Sequence, residues 1–292
     1  MPQRFGGEWT EDKLQRLSRY LEQYTKVLKD KPKFRPFYKV YMDAFAGTGY
    51  REIWAPESTD EDLLPGLIAQ EDERYAEGSA RIALKVEPGF ERYVFIEKDA
   101  EKCRELEKLR KGFPNKDVEI CQGDANEVLR SVLNWFDPRS MRGVLFLDPF
   151  GLSVKWTTVE AIASTEAIDL WYLFDIGSVA RMLPRGGQPP GAWRDKLNEV
   201  LGTEEWLEFF YPVKPSLFEE ERVVQRDAEW REIVAFVQNR LSSVFPAVAP
   251  NPLVLRGPNG QPLYLLCFAI ANRDERAQGI AVRIAKHILG MR

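Results

Sequence analysis

The sequence predicts a Rossmann-like α/β fold, with a mostly parallel sheet closed by a C-terminal antiparallel hairpin and with helical additions. Three observations predict it. Five short apolar runs, rich in aromatic and β-branched residues, alternate with helical segments. A glycine-containing loop directly follows the first of these runs. Near the C-terminus, two further β-rich runs flank an Asn-Gly pair, which is typical of a hairpin.

Composition excludes several other classes of protein. The 292 residues are 44% hydrophobic and 29% charged, which is typical of a globular protein with a core. No run approaches about 18 consecutive apolar residues, and the N-terminus lacks the apolar region of a signal peptide, so we expect a cytoplasmic protein without a membrane partner. The net charge of -4 does not attract nucleic acid globally, so such a partner would need local basic patches.

The cysteines and the single histidine form no metal-binding or catalytic motif. Cys103, Cys121 and Cys267 lie far apart without CxxC spacing, so neither a disulfide framework nor a metal site is indicated. His287 lies near the end of a predicted terminal helix, where histidine commonly faces the last carbonyl groups. We expect structural thiols, a structural histidine and no bound metal.

Before the first strand, the chain predicts a helix and then a basic loop. Thr10 is a candidate N-cap, and apolar residues then recur at the helical spacing, at Leu14, Leu17, Leu21, Tyr24 and Leu28. Residues 29–36 hold two prolines and four basic residues, which predicts a loop. We expect Lys31, Lys33, Arg35 and, beyond the first strand, Arg51 to contact nucleic-acid phosphates. The same charges also fit a solvated loop.

Residues 37–180 predict the core of the fold. Strands are expected at residues 37–42, 92–97, 118–121, 143–147 and 168–174, with helices at residues 78–84, 99–111, 125–135 and 157–164. Residues 52–77 are acidic, contain two prolines and lack a sustained period until the following helix. We interpret them as an insertion between the first strand and its helix.

The remainder of the chain predicts additions to this core. Residues 181–191 are rich in proline and glycine, and residues 193–210 and 218–245 have helical patterns. Residues 253–256 and 263–270 flank an Asn-Gly pair that can supply the two positive φ angles of a type I′ turn. We therefore predict four parts, namely an N-terminal helix and basic loop (1–36), the core (37–180), a helical addition (181–250) and a hairpin with a helix that completes the core (251–292).

The glycine-containing loop spans residues 43–49, at the end of the first strand, where open α/β sheets bind ligands. Its glycines let the backbone approach a ligand closely. The third glycine of the dinucleotide fingerprint is absent, which disfavours a nicotinamide-dependent oxidoreductase and favours a ligand without a pyrophosphate. The oxidoreductase is kept as a minor alternative. The residues expected to bind the cofactor here are Asp43, Phe45, Ala46, Gly47 and Gly49.

Acidic residues end the next two strands. Glu97 ends the second strand, where an acidic side chain suits hydrogen bonds to two ribose hydroxyls. Asp124 ends the third, where a carboxylate can accept from an adenine amino group. Each could be an ordinary surface carboxylate, but acids at successive strand ends indicate a cofactor that contains a nucleoside. We expect Glu97, Lys98, Asp124 and Ala125 to bind it.

A third acidic motif, at Asp148, Pro149 and Phe150, ends the fourth strand. An amino group on a nucleobase is a poor nucleophile, because its lone pair is delocalised into the ring. The Asp148 carboxylate and the Pro149 carbonyl can accept its hydrogens while Phe150 stacks on the base. We expect these three residues to be catalytic, with Asp148 also beside the cofactor. The plain alternative is an Asp-Pro turn that ends a strand.

Taken together, these motifs resemble those of class I methyltransferases that use S-adenosylmethionine (SAM). Their order, combined with Gly78, Ser79, Trp156 and residues 167–170 and 181–183, more closely resembles the three-Cys-motif partner (TcmP) family, over residues 38–206. The loop at residues 43–49 is similar to that of bacterial guanine-N2 ribosomal RNA methyltransferases. Residues 148–151 are similar to tRNA guanine-N2 dimethyltransferases. Phe150 departs from the pattern, because it stands where amino-methyltransferases usually carry a second proline.

The resemblance implies a function, a cofactor and a partner. It implies SAM as the cofactor and methyl transfer to an exocyclic amine of a nucleobase in RNA or DNA. The TcmP resemblance also implies a partner with a three-cysteine motif, similar to radical-SAM proteins. The alternative function is therefore a methyltransferase-like binding protein that serves such a partner without catalysing transfer.

Overall fold

The computed structural model describes residues 8–29, 36–52, 75–186, 188–212 and 229–291. The helices within these residues are α1 (Glu8–Lys29), α2 (Ser79–Lys85), α3 (Ala100–Lys111), α4 (Ala125–Leu133), α5 (Trp156–Ser164), α6 (Ile176–Met182), α7 (Gly191–Leu201), α8 (Glu205–Phe210), α9 (Trp230–Val244) and α10 (Glu275–Leu289). The strands are β1 (Tyr38–Asp43), β2 (Tyr50–Glu52), β3 (Tyr75–Glu77), β4 (Arg92–Glu97), β5 (Val118–Gln122), β6 (Met141–Leu147), β7 (Ile168–Phe174), β8 (Ala247–Val248), β9 (Leu253–Arg256) and β10 (Pro262–Ile270).

The main sheet has the strand order β5-β4-β1-β6-β7-β10, with β8 and β9 on the far side of β10. The first five strands in this order are parallel to one another. β10 is antiparallel to β7 and to both of the short strands beyond it. A mostly parallel sheet with helices on both faces and one reversed strand near its edge is a Rossmann-like α/β arrangement, and the predicted fold class is confirmed.

The strand register brings the ends of four strands to one edge of the sheet. Asp43 pairs with Phe95 on one side and with Phe146 on the other. Glu97 and Asp148 therefore each lie two residues beyond this level. Glu97 pairs in turn with Gln122, so Asp124 follows just beyond it. Because these strands are parallel, the predicted site residues share the carboxyl edge of the sheet.

The sheet buries side chains on both faces, as its near-continuous apolar strands predict. Val40 and Met42 on β1 pack toward a cluster that includes α4 to α9. Tyr41, between them, packs toward a second cluster that includes α1, α2, α3 and α10. The N-terminal helix therefore lies on the same face as the helix that follows the glycine-containing loop.

Helix α1 matches its predicted periodicity but not its predicted start. It begins at Glu8, so Thr10 lies inside it and is not the N-cap. The predicted apolar positions Leu14, Leu17, Leu21 and Tyr24 are buried. Lys13 and Arg16 are buried as well, and the hydroxyl of Tyr20 donates to Asp169 on β7 at 2.5 Å. The buried face of α1 is thus wider and more polar than its pattern predicts.

The C-terminal hairpin is confirmed, but the predicted type I′ turn is wrong. Gly260 has φ +74°, whereas Asn259 is not among the described residues with positive φ. The Gly260 amide donates to the Gly257 carbonyl at 2.9 Å, and the Gly257 amide donates to the Gln261 carbonyl at 2.8 Å. The turn that forms therefore spans residues 257–260, one residue earlier than predicted, and its first central residue is Pro258. The ring of Pro258 fixes φ at about -65°, which excludes the positive φ that a type I′ turn needs at this position.

The helices that follow β7 differ from their prediction in two places. The sequence pattern does not predict α6, which Asp175 caps by accepting from the Ser178 amide. The predicted helix over residues 193–210 is two helices, α7 and α8, because Gly202 ends α7 with φ +67°. Of the predicted helix over residues 218–245, the part up to residue 228 lies outside the described residues, and α9 covers most of the rest.

The acidic insertion is only partly described. Residues 53–74 lie outside the described residues, while β2 and β3 at its two ends pair with each other in antiparallel fashion. The insertion therefore leaves and rejoins the core at one place. No helix in the described part of the chain is long and apolar enough to cross a bilayer.

Candidate active site

The loop after β1 is anchored to the end of β4. The Ala46 amide donates to the Ile96 carbonyl at 3.0 Å, and the Gly47 amide donates to Glu97 Oε2 at 3.0 Å. Gly47 has φ +62° and Gly49 has φ +76°, a conformation that favours glycine. Among the described residues, a Cβ atom on Gly47 would meet nothing within 4 Å, whereas one on Gly49 would lie 2.6 Å from Leu109 Cδ2. In the described part of the chain, Gly47 therefore borders open space, and Gly49 packs against α3.

The insertion leaves the junction between this loop and α2 intact. The Gly78 amide donates to the Gly49 carbonyl at 2.9 Å, although residues 50–77 lie between them. Ser79, at the start of α2, hydrogen-bonds the Asp43 carboxylate through its side chain. The loop and the N-terminus of α2 are therefore in direct contact.

Asp43 lies beneath the loop and is fully buried. Its carboxylate accepts from the Phe45 amide at 3.2 Å and from the Tyr41 hydroxyl at 3.5 Å. Burial raises the pKa of Asp43 to about 7, against the opposing effect of the hydrogen bonds from the Ser79 side chain and the Phe45 amide. The buried Asp43 carboxylate therefore stabilises the loop through its hydrogen bond from the Phe45 amide. Contact of Asp43, Phe45 or Ala46 with a cofactor stays a prediction.

Glu97 is held in a fixed orientation by three backbone amides. Its Oε1 atom accepts from Lys98 at 2.8 Å and from Asp99 at 2.9 Å, and its Oε2 atom accepts from Gly47. A carboxylate offers about four acceptor positions. The three protein hydrogen bonds therefore orient the group and leave capacity for a donor from a ligand.

Asp124 lies beside Glu97 and caps α4. The Gly123 amide donates to the Glu97 carbonyl at 3.0 Å, which joins the two strand ends. Asp124 Oδ1 accepts from the amide and from the side chain of Asn126, at 2.9 and 3.0 Å. Partial burial raises the pKa of Asp124, but the hydrogen bonds from Asn126 and the charge of Lys98 outweigh it, so the pKa is lowered. The structure thus brings together Glu97, Lys98 and Asp124, with Ala125 buried behind them.

Asn126 is a site residue that the sequence analysis does not identify. It is buried, and its Nδ2 atom donates to the Ser153 carbonyl at 3.0 Å. Its Oδ1 atom accepts from the Lys155 amide at 2.9 Å and from the Thr158 hydroxyl at 2.8 Å. Asn126 therefore ties the end of β5 to the loop that follows Asp148. An Asn two residues after Asp124 carries no sequence signal for this role.

Asp148 forms an ion pair with Lys13 of α1, which the sequence analysis also does not identify. The Lys13 side chain is 7% exposed and that of Asp148 is 24% exposed. Pro149 is buried, whereas Phe150 is 72% exposed. Gly151 turns the chain after Phe150 with φ +62°. A partly exposed carboxylate and an exposed aromatic ring are thus neighbours at the end of β6.

Further polar groups lie on the β10 side of Asp148. Burial raises the pKa of Tyr264 on β10, the charges of Asp175 and Asp148 raise it further, and Arg181 lowers it. Asp175 directly follows β7, and Arg181 on α6 donates to the Ser178 hydroxyl at 2.6 Å. Tyr264, Asp175 and Arg181 therefore form a further polar group beside Asp148, and their sequence pattern predicts no role for any of them.

The predicted nucleic-acid contacts stay predictions. Lys31, Lys33 and Arg35 lie outside the described residues, and so does the side chain of Arg51. The thiols are free, and burial raises the pKa of Cys121 to about 11 and that of Cys267 to about 12. His287 lies in the last turn of α10, as predicted. Across the described ranges, no group of three His, Cys, Asp or Glu side chains could hold a metal ion.

No family model matches the chain, and no curated protein matches it. The TcmP resemblance therefore stays a prediction. Among solved structures, the chain is similar to protein LPL1258 from Legionella pneumophila, with 19% identity over 68% of this chain and 76% of that one and a TM-score of 0.44. It is also similar to spermidine synthase from Thermotoga maritima, with 14% identity over 93% of this chain and 62% of that one and a TM-score of 0.39.

A third similar structure is the CurJ carbon methyltransferase, with 13% identity over 87% of this chain and 54% of that one and a TM-score of 0.36. At this level of identity and overlap, these similarities carry no information about substrate or reaction. The fold assignment therefore depends on the strand order of this chain, and any functional assignment depends on the residues at the edge of its sheet.

Proposed function

We propose that the protein is a SAM-dependent methyltransferase that acts on an exocyclic amine of a nucleobase in RNA or DNA. The observation that carries the proposal is the single sheet edge where Gly47, Glu97, Asp124 and Asp148 meet. Glu97 is oriented beside open space over Gly47, and Asp124 is its neighbour. This donor and acceptor set suits a nucleoside without a pyrophosphate.

The residues present fit SAM. The remaining acceptor capacity of Glu97 suits a ribose hydroxyl, and the Asp124 carboxylate suits an adenine amino group. The open space at Gly47 lets the ligand approach the backbone closely. When bound, SAM supplies an electrophilic methyl group on a positively charged sulfur. Phe45, Ala46, Gly49, Lys98 and Ala125 belong to the proposed cofactor site by their positions in the same loops.

Asp148, Pro149 and Phe150 form the proposed acceptor site. The acceptor nitrogen gains a methyl group and must lose a proton, for which the Asp148 carboxylate is an acceptor. The carbonyl of Pro149 can accept a second hydrogen from the amine. The exposed Phe150 ring offers a surface for base stacking. Lys31, Lys33, Arg35 and Arg51 are proposed to bind the phosphates of the same nucleic acid.

One observation favours a second candidate function. The Asp148 carboxylate already has a cationic partner, Lys13, and an acceptor amine would share that carboxylate with it. A protein that binds SAM or nucleic acid on behalf of a three-Cys-motif partner, without transferring a methyl group, does not need an accessible Asp148. The two candidates therefore differ in whether Asp148 is required for methyl transfer.

Tritiated methyl transfer to total RNA and to total DNA tests the proposal. The wild type is expected to label one of the two, and Asp148→Ala is expected to abolish labelling although SAM still binds, with lower affinity than to the wild type. Asp195→Ala is a matched control, because Asp195 is an exposed carboxylate on α7. Wild-type binding of SAM without labelling of either nucleic acid would favour the second candidate. Full labelling by Asp148→Ala would refute the role of Asp148.

A further inference from the structure

Lys13 is a buried cation placed at the carboxyl edge of the sheet. Its side chain is 7% exposed, and its ammonium group pairs with Asp148 across 135 positions of sequence. Removing an ammonium group from water costs several kcal/mol unless a partner of opposite charge compensates it. A lysine buried solely to pack α1 would be a poor choice, since an apolar side chain avoids that cost. The position of Lys13 therefore points to a role for its charge at the site.

The charge of Lys13 reaches two carboxylates. Asp43 ends β1 and Asp148 follows β6, the strand next to it in the sheet. Burial is the main cause of the raised pKa of Asp43; the charge of Asp148 raises this pKa further, and the charge of Lys13 lowers it. Two carboxylates and one ammonium group thus act on one another at the edge where the methyl donor is proposed to bind.

A methyltransferase site must handle two forms of its cofactor that differ by one charge. SAM carries a positive sulfonium, whereas the product S-adenosylhomocysteine (SAH) carries a neutral thioether sulfur. Two carboxylates without a compensating cation would attract the sulfonium of SAM strongly, whereas they would attract the neutral sulfur of SAH much less. A fixed ammonium group beside them reduces this difference.

We propose that Lys13 is a specificity-determining residue that sets the relative affinity of the site for SAM and SAH, by compensating one of the two carboxylates, Asp43 and Asp148. This inference rests on the proposed function, because it requires that SAM binds at this edge. In this inference, Lys13 responds to the charge of the sulfur, by which SAM and SAH differ, and does not bind the groups that the two ligands share.

Calorimetric titration at pH 8 with SAM and with SAH tests the inference. The measured quantity is the ratio of the SAH dissociation constant to the SAM dissociation constant. Lys13→Met is expected to raise this ratio at least about fivefold, because one like charge is removed from the vicinity of the sulfonium. Lys13→Arg, which keeps the charge, is expected to leave the ratio near that of the wild type. Lys26→Met is a matched control, since Lys26 lies on the same helix with its side chain 52% exposed.

A second comparison keeps the test valid if Lys13→Met does not fold, since that variant leaves the Asp148 carboxylate without the ammonium group of Lys13. Asp148→Asn is expected to lower the ratio, and the double variant Lys13→Met with Asp148→Asn is expected to return it toward the wild-type value. The double variant removes both charges, and such replacements of buried pairs are commonly tolerated. The effect of Lys13 is then the difference between the double variant and Asp148→Asn.

The outcomes separate this inference from the proposed function. If the wild type binds neither SAM nor SAH, the proposed function fails. If both ligands bind and the removal of Lys13 leaves their ratio unchanged, only the inference fails. An equal loss of affinity for both ligands would also overturn it, because Lys13 would then bind a group that SAM and SAH share.

Discussion

The amide of Gly47 donates a hydrogen bond to Glu97 Oε2 at 3.0 Å, and this contact fixes the loop after β1 against the end of β4. The same carboxylate is oriented from its other oxygen by the amides of Lys98 and Asp99. The proposed ribose acceptor is therefore positioned by the protein before a ligand binds. Such preorganisation lowers the entropic cost of binding.

Glu97→Ala is expected to weaken SAH binding by about tenfold or more, because it removes a charged acceptor worth roughly 1.5–3 kcal/mol per hydrogen bond. Calorimetric titration with SAH measures the loss. Glu101→Ala is the control, since Glu101 is an exposed carboxylate on the nearby helix α3 with its side chain 87% exposed. Unchanged affinity in a folded Glu97→Ala variant would contradict the assignment of Glu97.

Two glycines of the loop are expected to respond differently to the same substitution. Both have positive φ, so alanine costs about 1 kcal/mol at either position. At Gly49 the new Cβ atom also meets Leu109 Cδ2 at 2.6 Å, while at Gly47 it meets nothing within 4 Å. Gly49→Ala should therefore lower the unfolding free energy more than Gly47→Ala does. Relative to its loss of unfolding free energy, Gly47→Ala should weaken SAH binding more than Gly49→Ala does. Urea denaturation and calorimetry measure the two quantities, and the reverse order would contradict the placement of the ligand at Gly47.

The buried carboxyl of Asp169 is expected to make stability depend on pH. Burial raises its pKa to about 7 from the usual 3.8, with the Tyr20 hydroxyl and the charge of Arg142 opposing the increase. Between about pH 4 and pH 7, the folded protein holds a proton that the unfolded chain has released, so the unfolding free energy falls as pH rises. The loss is complete above pH 7 and amounts to at most about 4 kcal/mol from this group.

Asp169→Asn is expected to remove this contribution, so that its stability relative to the wild type improves from pH 5 to pH 8. Urea denaturation at both pH values provides the measurement. Part of the dependence should persist, because burial raises the pKa of Asp43 in the same direction. Tyr20→Phe should steepen the wild-type dependence, since it removes a donor that favours the carboxylate. Equal pH dependence in the wild type and Asp169→Asn would show that Asp169 does not titrate in this range.

Phe150→Ala is expected to impair the acceptor step and leave the fold intact. The ring is 72% exposed, so its removal should change the melting temperature little. Loss of a stacked base costs about 1–3 kcal/mol, which corresponds to a rise of about 5- to 150-fold in KM for the nucleic acid. Phe150→Tyr, which keeps an aromatic ring, should retain activity. If Phe150→Ala had the same KM for the nucleic acid as the wild type, Phe150 would not stack on the base.

The sequence was sufficient to predict the strands of the core and the edge that carries the site. Residues 93–96 and 170–174 are continuous apolar runs, which predict buried strands, and they lie within β4 and β7. Parallel strands with helices between them then require that Glu97, Asp124 and Asp148 share one edge. These inferences depend only on local patterns and on the rules of chain connection.

Contacts between distant parts of the chain were not predictable in the same way. Lys13 and Asp148 are 135 residues apart, and nothing in the helical pattern of α1 distinguishes Lys13 from a solvated lysine. The three hydrogen bonds of the Asn126 side chain to residues 153–158 likewise depend on how two loops pack. The turn type was wrong for a local reason, because Pro258 overrides the preference of the Asn-Gly pair that follows it.

Titration of the purified chain with SAM by calorimetry tests the central proposal most directly. We expect one SAM molecule to bind per chain, and we expect SAH to displace it, because the cofactor site at Gly47, Glu97 and Asp124 is already oriented. Absence of binding by either ligand to the folded protein would contradict the proposal that this sheet edge is a SAM site.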